Sequence, residues 1–490
     1  MMLKLLLLIP LAASAGIALS RRRAVAEIIH TLAALGSLAT GLMVAVPVWR
    51  DDDPAILITG VAGIELPLRV DALSALMVVI ITTLGAIAAL YSLGYVRAEI
   101  AAQHSARARA FFALFHGFIF TMLIAVTTDN LGVMWVAVEG TTLATVFLVN
   151  LHNTGTSLEA AYKYLIISSV GIALAFVGTV LMYYAGAASA GEIAVNWTSL
   201  RDGAALLDPQ VVRLAFAFVL IGYGTKAGLA PMHTWLPDAH SEAPAPISAL
   251  MSGVLLNVGL YALLRFKAVA DIVVGQAFTG RCLLGLGLLS LAVATAFLLA
   301  QRNYKRMLAY SSVEHMGIIC LGLGFGGYWG VLGALLHVVN HALSKSLLFM
   351  LSGNILLKYQ TTDIRRVRGL LRASPATGGA FLAGMLALTG LPPFGPFISE
   401  FIIFRAGFDN GPRWIAVAGV ALIVVVFAGM LASVNQMLYG EAPEKLERGD
   451  LIKWSLAPLA VNFCLLIILG LTLPHPFVEA LEQALKVLGV

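Results

Sequence analysis

Three titratable residues, His337, His341 and Lys345, recur at intervals of four in the apolar run LLHVVNHALSKSLLFMLSGN. That interval stacks side chains on one helix face. Imidazole titrates near neutral pH, so such a row can hand a proton along. A metal site is disfavoured there, because no acid or cysteine in that helix completes a ligand set. Two more ionisable residues stand deep in apolar segments: Glu139 in NLGVMWVAVEGTTLATVFLV and Lys226 in LAFAFVLIGYGTKAGLAP. A charge at that depth is costly unless paired or hydrated. Glu139 and Lys226 are expected to form a switchable pair, with Lys226 cationic while paired and ready to release its proton when the acid moves away. A fixed interhelical ion pair and a snorkelling lysine are the plainer alternatives.

Other polar residues qualify as members of the same path. Glu400 in GLPPFGPFISEFIIF is either an exit-side carboxylate or a partner for Arg405 one turn away. His233 and His240 flank WLPD and either gate entry or cap a broken helix. Asp71 in RVDALSALM is either an N-cap or a functional acid. Asp238, Glu242, Lys305 and Glu314 read as residues near the cytoplasmic surface, in solvated or helix-end roles.

The elements that must position these groups are set by composition. A 60% hydrophobic, 12% charged chain excludes an ordinary soluble protein and indicates a polytopic membrane protein held in a lipid bilayer. The isoelectric point near 9.1 fits basic cytoplasmic loops, with no nucleic-acid partner expected. Cys282, Cys320 and Cys464 are isolated, so cysteine supplies neither an iron–sulfur cluster nor a zinc site. No phosphate loop, nucleotide fingerprint, catalytic triad or haem-attachment motif is present, and no cofactor or redox centre is expected. The opening MMLKLLLLIPLAASAGIALS, followed by arginines at 21–23, reads as a retained first span rather than a cleaved signal.

Apolar runs at about 2–20, 24–48, 71–96, 109–128, 130–151, 158–186, 211–236, 245–267, 280–300, 307–325, 328–357, 375–404, 413–438 and 454–474 predict an all-α protein of about fourteen transmembrane helices. Pro231 interrupts the seventh and Pro392-Pro393 the twelfth. Of the 31 Lys and Arg, eighteen fall in loops after odd-numbered helices, eleven fall on the opposite side, and Lys226 and Lys345 lie inside spans. Both termini are therefore expected on the non-cytoplasmic face. Paired broken helices point to two inverted five-helix repeats, about helices 4–8 and 9–13. The chain divides accordingly into 1–108 (helices 1–3), 109–267, 268–440, and 441–490 (helix 14 and a tail). VEALEQALKV in that tail reads as an interfacial amphipathic helix.

The stretches TKAGLAPMHTWLPDAHSEAPAPISAL, NYKRMLAYSSVEHMG and ALTGLPPFGPFISEF resemble the antiporter-like subunits of respiratory complex I, Mrp antiporters and membrane-bound hydrogenases, across nearly the whole chain. SSVEHMG and HALSKSLLFMLSGNILLKY are most similar to the F-type membrane subunit of hydrogenase-4 and formate hydrogenlyase-like complexes. The resemblance implies a proton path through Glu139, Lys226, Lys345 and Glu400. It also implies other membrane subunits and a peripheral redox arm as partners, in a bacterial inner membrane. One departure is Asn257, where many relatives resembling the complex I subunits carry lysine; an amide can neither hold nor release a charge. The function expected is a proton-translocating, non-redox subunit of a hydrogenase-4-like oxidoreductase. A complex I subunit, an Mrp-type Na⁺/H⁺ antiporter subunit, a CO₂ or bicarbonate uptake subunit and a passive scaffold are the alternatives.

Overall fold

The computed structural model describes residues 1–490 except 62–63, 101–103, 191–195, 445 and 452–454. In chain order it has α1 (Met2–Leu19), α2 (Arg23–Asp51), a hairpin of β1 (Ala55–Val61) and β2 (Ile64–Val70), α3 (Ala72–Glu99), α4 (Ser105–Thr127), α5 (Leu131–Val149), α6 (Gly155–Ala190) and α7 (Trp197–Asp202). There follow α8 (Pro209–Ala227), α9 (Trp235–Glu242), α10 (Ala245–Leu250), α11 (Leu256–Val274), α12 (Gln276–Leu299), α13 (Tyr304–Phe325) and α14 (Gly327–Tyr359). The last elements are α15 (Leu370–Ala373), α16 (Pro375–Leu388), α17 (Gly395–Asn410), α18 (Arg413–Leu438), α19 (Leu456–Leu471) and α20 (His475–Val487). The molecule is almost wholly helical. The antiparallel hairpin, pairing Ala55 with Val70, is the addition to the all-α expectation.

Among the described residues, eleven helices are long and apolar enough to cross a membrane, or twelve if α19 and α20, bent by 79°, make one span. The seventh and twelfth of the expected spans are divided at the prolines that were expected to interrupt them, α8 from α9 and α16 from α17. The first division is written locally. Asp208 caps the start of α8, accepting from the amides of Gln210 at 2.7 Å and Val211 at 3.4 Å. Gly228 closes the helix at φ 79°, a left-handed conformation that glycine adopts without a Cβ penalty. Pro231 has no amide to continue the ladder, and the Thr225 carbonyl, which accepts from the Gly228 amide at 3.2 Å, also accepts from Trp235 Nε1 at 3.0 Å. A one-turn π segment, Met251–Leu255, joins α10 to α11.

Both faces of the bundle are tied by polar contacts. On one, Arg97 pairs with Glu27 at 2.5 Å, His152 with Glu99 at 3.5 Å, and Lys163 and Arg306 both reach Asp238. On the other, Arg265 makes a bidentate bridge to Asp71 at 2.7 Å, and Lys486 on α20 reaches Asp52 at 3.0 Å. Burial pushes the Asp71 carboxyl up, but the Arg265 guanidinium more than reverses this, leaving it below the usual carboxylate range. Arg265 and Lys267, counted above with the loops, thus lie within α11. Lys445 and Lys453 lie outside the described residues. The tail is helical as expected, and Ala480, Leu481, Ala484 and Leu485 form its buried face.

Candidate functional site

Lys226 is fully buried in the last turn of α8, where helix carbonyls favour a cation. Its Nζ donates to Thr142 Oγ1 at 2.7 Å and to the Tyr164 hydroxyl at 3.1 Å. Thr142 in turn donates to Glu139 Oε2 at 3.1 Å, and Ser169 donates to Glu139 Oε1 at 2.8 Å. The two charged residues are thus linked indirectly, with Thr142 standing between acid and base as a hydroxyl bridge. Glu139 and Thr142 sit three residues apart on α5, on one helix face. Tyr164 is held by Thr145 at 2.7 Å; since Thr145 gives its own proton to the Thr141 carbonyl, Tyr164 is the donor in that contact. Helix α11 reaches Lys226 through Gly259, where a Cβ would come within 2.9 Å of the Ala227 amide and 3.1 Å of the Lys226 carbonyl carbon.

A second cluster forms where α13, α14 and α17 meet. His315 Nδ1 lies 2.9 Å from His337 Nε2, and His337 Nδ1 lies 2.9 Å from Ser399 Oγ. Ser399 donates to the Pro396 carbonyl at 3.0 Å and accepts from Asn340 at 3.1 Å. It can therefore only accept from His337, which puts that ring's proton on Nδ1 and leaves Nε2 bare. Glu400 is buried, with Oε1 4.0 Å from His315. Its carboxylate folds back on Gly390, where a Cβ would meet Oε2 at 2.3 Å and where φ is 67°. Arg405 instead pairs with Asp409 at 3.5 Å and lies over Trp329, so it is not the partner of Glu400.

Lys345 donates to the Leu308 carbonyl at 2.9 Å and to Ser311, and Glu314 is the acid facing it. Glu314 is buried at 4% exposure in the interior of α13, which corrects the surface role expected for it, whereas Lys305, 1% exposed, keeps a helix-end role at the start of that helix. Burial of Lys305 comes from its contacts with the Ser241 and Ala243 carbonyls, at 3.2 and 2.9 Å, at the end of α9.

Between the clusters runs a line of rings. Tyr164 lies 4.8 Å from Trp235, Trp235 lies 6.5 Å from His240, and His240 stacks on Phe349 at 4.9 Å. His240 is within electrostatic reach of His341 and Lys345. Both ring nitrogens of His240 and of His341 are buried without a protein partner, as are Asn257 Oδ1, Asn340 Oδ1 and Ser344 Oγ. Buried polar atoms are almost always satisfied, so a line of unpaired ones through the centre suits a hydrated route. Asn257 is engaged locally, donating to the Gly253 carbonyl in the π segment at 2.8 Å. His233 sits in the break of α8, buried near Tyr310 and Phe297, and makes no link to either cluster.

The structure thus brings Glu139 and Lys226 together through Thr142, and His337 and Glu400 together around His315. His240, His341 and Lys345 lie between. Asp71 proves to be both the N-cap of α3, accepting from Ser74 at 3.0 Å, and an ion-pair partner. Thr142, Tyr164, His315 and Ser399 were not singled out from sequence. The spacing of Thr142 from Glu139 was a usable signal; the other three owe their places to packing between distant helices.

Residues 128–426 match the family model described as NADH:quinone oxidoreductase/Mrp antiporter, TM, and residues 57–104 match NADH-Ubiquinone oxidoreductase (complex I), chain 5 N-terminus. The chain is 40% identical over 416 residues to the hydrogenase-4 component F homolog of Methylacidiphilum infernorum, covering 84% of this chain and 86% of that one. Its fold is similar to a chain of the membrane-bound sulfane sulfur reductase, an archaeal respiratory membrane complex (TM-score 0.89, 25% identity, 99% and 97% of the two chains). It is also similar to a chain of respiratory complex I from Thermus thermophilus, with TM-score 0.85 and 24% identity over the full length of both.

Proposed function

From the premise that this chain belongs to the NADH:quinone oxidoreductase/Mrp antiporter transmembrane family, we propose that it is the proton-translocating, non-redox membrane subunit of a hydrogenase-4-like oxidoreductase. It works beside other membrane subunits and under a peripheral redox arm. The likeness to the component F homolog supports the hydrogenase-4 assignment. The two divided segments support two inverted five-helix repeats at 109–267 and 268–440. Its place is a bacterial inner membrane with both termini on the non-cytoplasmic side, the side that receives fewer basic loops.

The observation that carries the mechanism is the Lys226–Thr142–Glu139 chain of hydrogen bonds. Ammonium Lys226 can pass a proton to Thr142 Oγ1 while the Thr142 hydroxyl passes its own to Glu139. The result is a neutral amine beside a neutral acid, with no net movement of charge out of the group. Reversal restores the ion pair. Either state can be favoured by a charge placed beside Glu139, whose side chain is only half-buried on the flank of α5. On the other side, Lys226 exchanges protons with the central row through water beside Tyr164, Trp235 and His240. Glu400 is the far carboxylate.

Proton pumping in vesicles carrying the intact complex tests this. Lys226→Ala and Glu139→Gln should each abolish or sharply reduce pumping while the complex assembles normally. Unchanged pumping at unchanged assembly sinks the switch. Sodium-dependent pH changes in the same vesicles would favour the antiporter alternative.

A further inference from the structure

Sequence spacing alone argued against a metal, because the helix bearing His337 carries no acid to complete a ligand set. The acid comes from elsewhere. His315 on α13, His337 on α14 and Glu400 on α17 place their ligand atoms all within 4.8 Å of one another. All three are buried, at 2%, 0% and 9% exposure. We propose that this triad is a binding site for a divalent transition ion, zinc foremost, with His315 Nδ1, His337 Nε2 and Glu400 as its three protein ligands.

The donor set fits. Two imidazoles and a carboxylate with a fourth position open is an arrangement zinc accepts, whereas magnesium and calcium prefer oxygen cages. Around a tetrahedral ion at about 2.0–2.1 Å, ligand atoms stand roughly 3.3 Å apart. The two nitrogens at 2.9 Å must open slightly and the carboxylate at 4.0 Å must close, movements that side-chain rotation supplies. His337 is already in the ligating form, since its Nδ1 proton is given to Ser399, which Asn340 steadies in turn. A histidine fixed through its far nitrogen is the usual second layer of a metal site. His315 also has the Leu388 carbonyl at the end of α16 nearby as an acceptor. Turning its proton to that carbonyl bares a second nitrogen facing the first.

Two more features bear on entry and charge. A lateral cavity of about 490 Å³, lined by Gly390, Phe397, Phe401 and Arg405 among others, reaches Glu400 from the side of the bundle. Arg405 at its rim is engaged by Asp409, and the nearby charge of Lys345 is opposed by Glu314. On the reading that the central row carries protons, a bound ion blocks it. Binding itself does not depend on that reading.

The test is zinc titration of the full chain in nanodiscs against a chromophoric chelator. One Zn²⁺ should bind per chain, with His315→Gln, His337→Gln and Glu400→Gln each weakening it by about tenfold or more. His475→Gln, at the exposed His475–Glu479 pair, should leave that affinity unchanged. Magnesium in large excess should not compete. Absence of stoichiometric zinc, or equal affinity in the wild type and all three variants, overturns the site. Should a variant fail to fold, the zinc-edge absorption spectrum of the wild type decides alone: two imidazoles and one carboxylate uphold it, any other set refutes it. If zinc binds as described while pumping is untouched by Lys226→Ala, the site stands and the proton reading falls.

Discussion

On the proposed mechanism the switch turns on Thr142, which among the described residues is the side chain hydrogen-bonded to both Lys226 and Glu139. Removing the hydroxyl while keeping the volume tests it more sharply than removing either charge. Thr142→Val deletes one hydrogen bond to each charged group, each worth about 1.5–3 kcal/mol. Pumping should then fall by about tenfold or more, and Thr142→Ser should retain most of it. Initial rates of acidification in vesicles separate the two. Equal rates in Val and Ser variants would show that the proton bypasses Thr142. Much of this site was legible in sequence: Glu139 and Lys226 declared themselves as charges in apolar runs. The bridge did not, because threonine is common in buried helices and only tertiary geometry sets its hydroxyl between two particular side chains.

At the scale of elements, Asn257 gives the centre an unpaired oxygen in place of a charge. The π segment before α11 leaves the Gly253 carbonyl to accept from the Asn257 amide, so that side chain serves the backbone. In the proposed mechanism the route between the clusters passes beside α9, where His240 stacks between Trp235 and Phe349. Asn257→Ala should therefore leave pumping within about twofold while costing roughly 1–3 kcal/mol of stability for the orphaned carbonyl. His240→Phe, which keeps the stack and removes the nitrogens, should stop most of it. A pumping assay paired with thermal melting reads both, and the opposite ranking would restore α11 as the conductor. The breaks that place α9 were readable from glycine and proline. The hairpin of β1 and β2 was not, since seven-residue strands in a loop lack the length that makes helical runs conspicuous.

The whole molecule is held by ties between segments far apart in sequence. Asp71 and Arg265, separated by 194 positions, join the start of α3 to α11 through a buried bidentate bridge. Asp71→Asn strands a buried guanidinium and should cost about 3–5 kcal/mol, seen as a lowered melting temperature with the secondary structure unchanged. Because the Asp71 carboxyl is held below its usual range, this contribution is present above about pH 4 and is lost as pH falls through the lowered value. A melting temperature unchanged by the substitution would mean the bridge is dispensable. Nothing in the sequence pointed to this tie, for Arg265 looked like one more basic residue near a span end.

The wedge of Thr142 between Glu139 and Lys226 also sets what cargo can use the first gap. A hydroxyl hands on a hydrogen nucleus by exchanging one covalent partner for another, so nothing heavier need move. A sodium ion has no such exchange and needs open volume with several oxygens around it. Gly259 brings α11 onto the backbone at Lys226, which fixes the α8 side of that gap. On the proposed mechanism, passage at this step is accordingly a matter of bond exchange between held groups rather than of pore width, which suits H⁺.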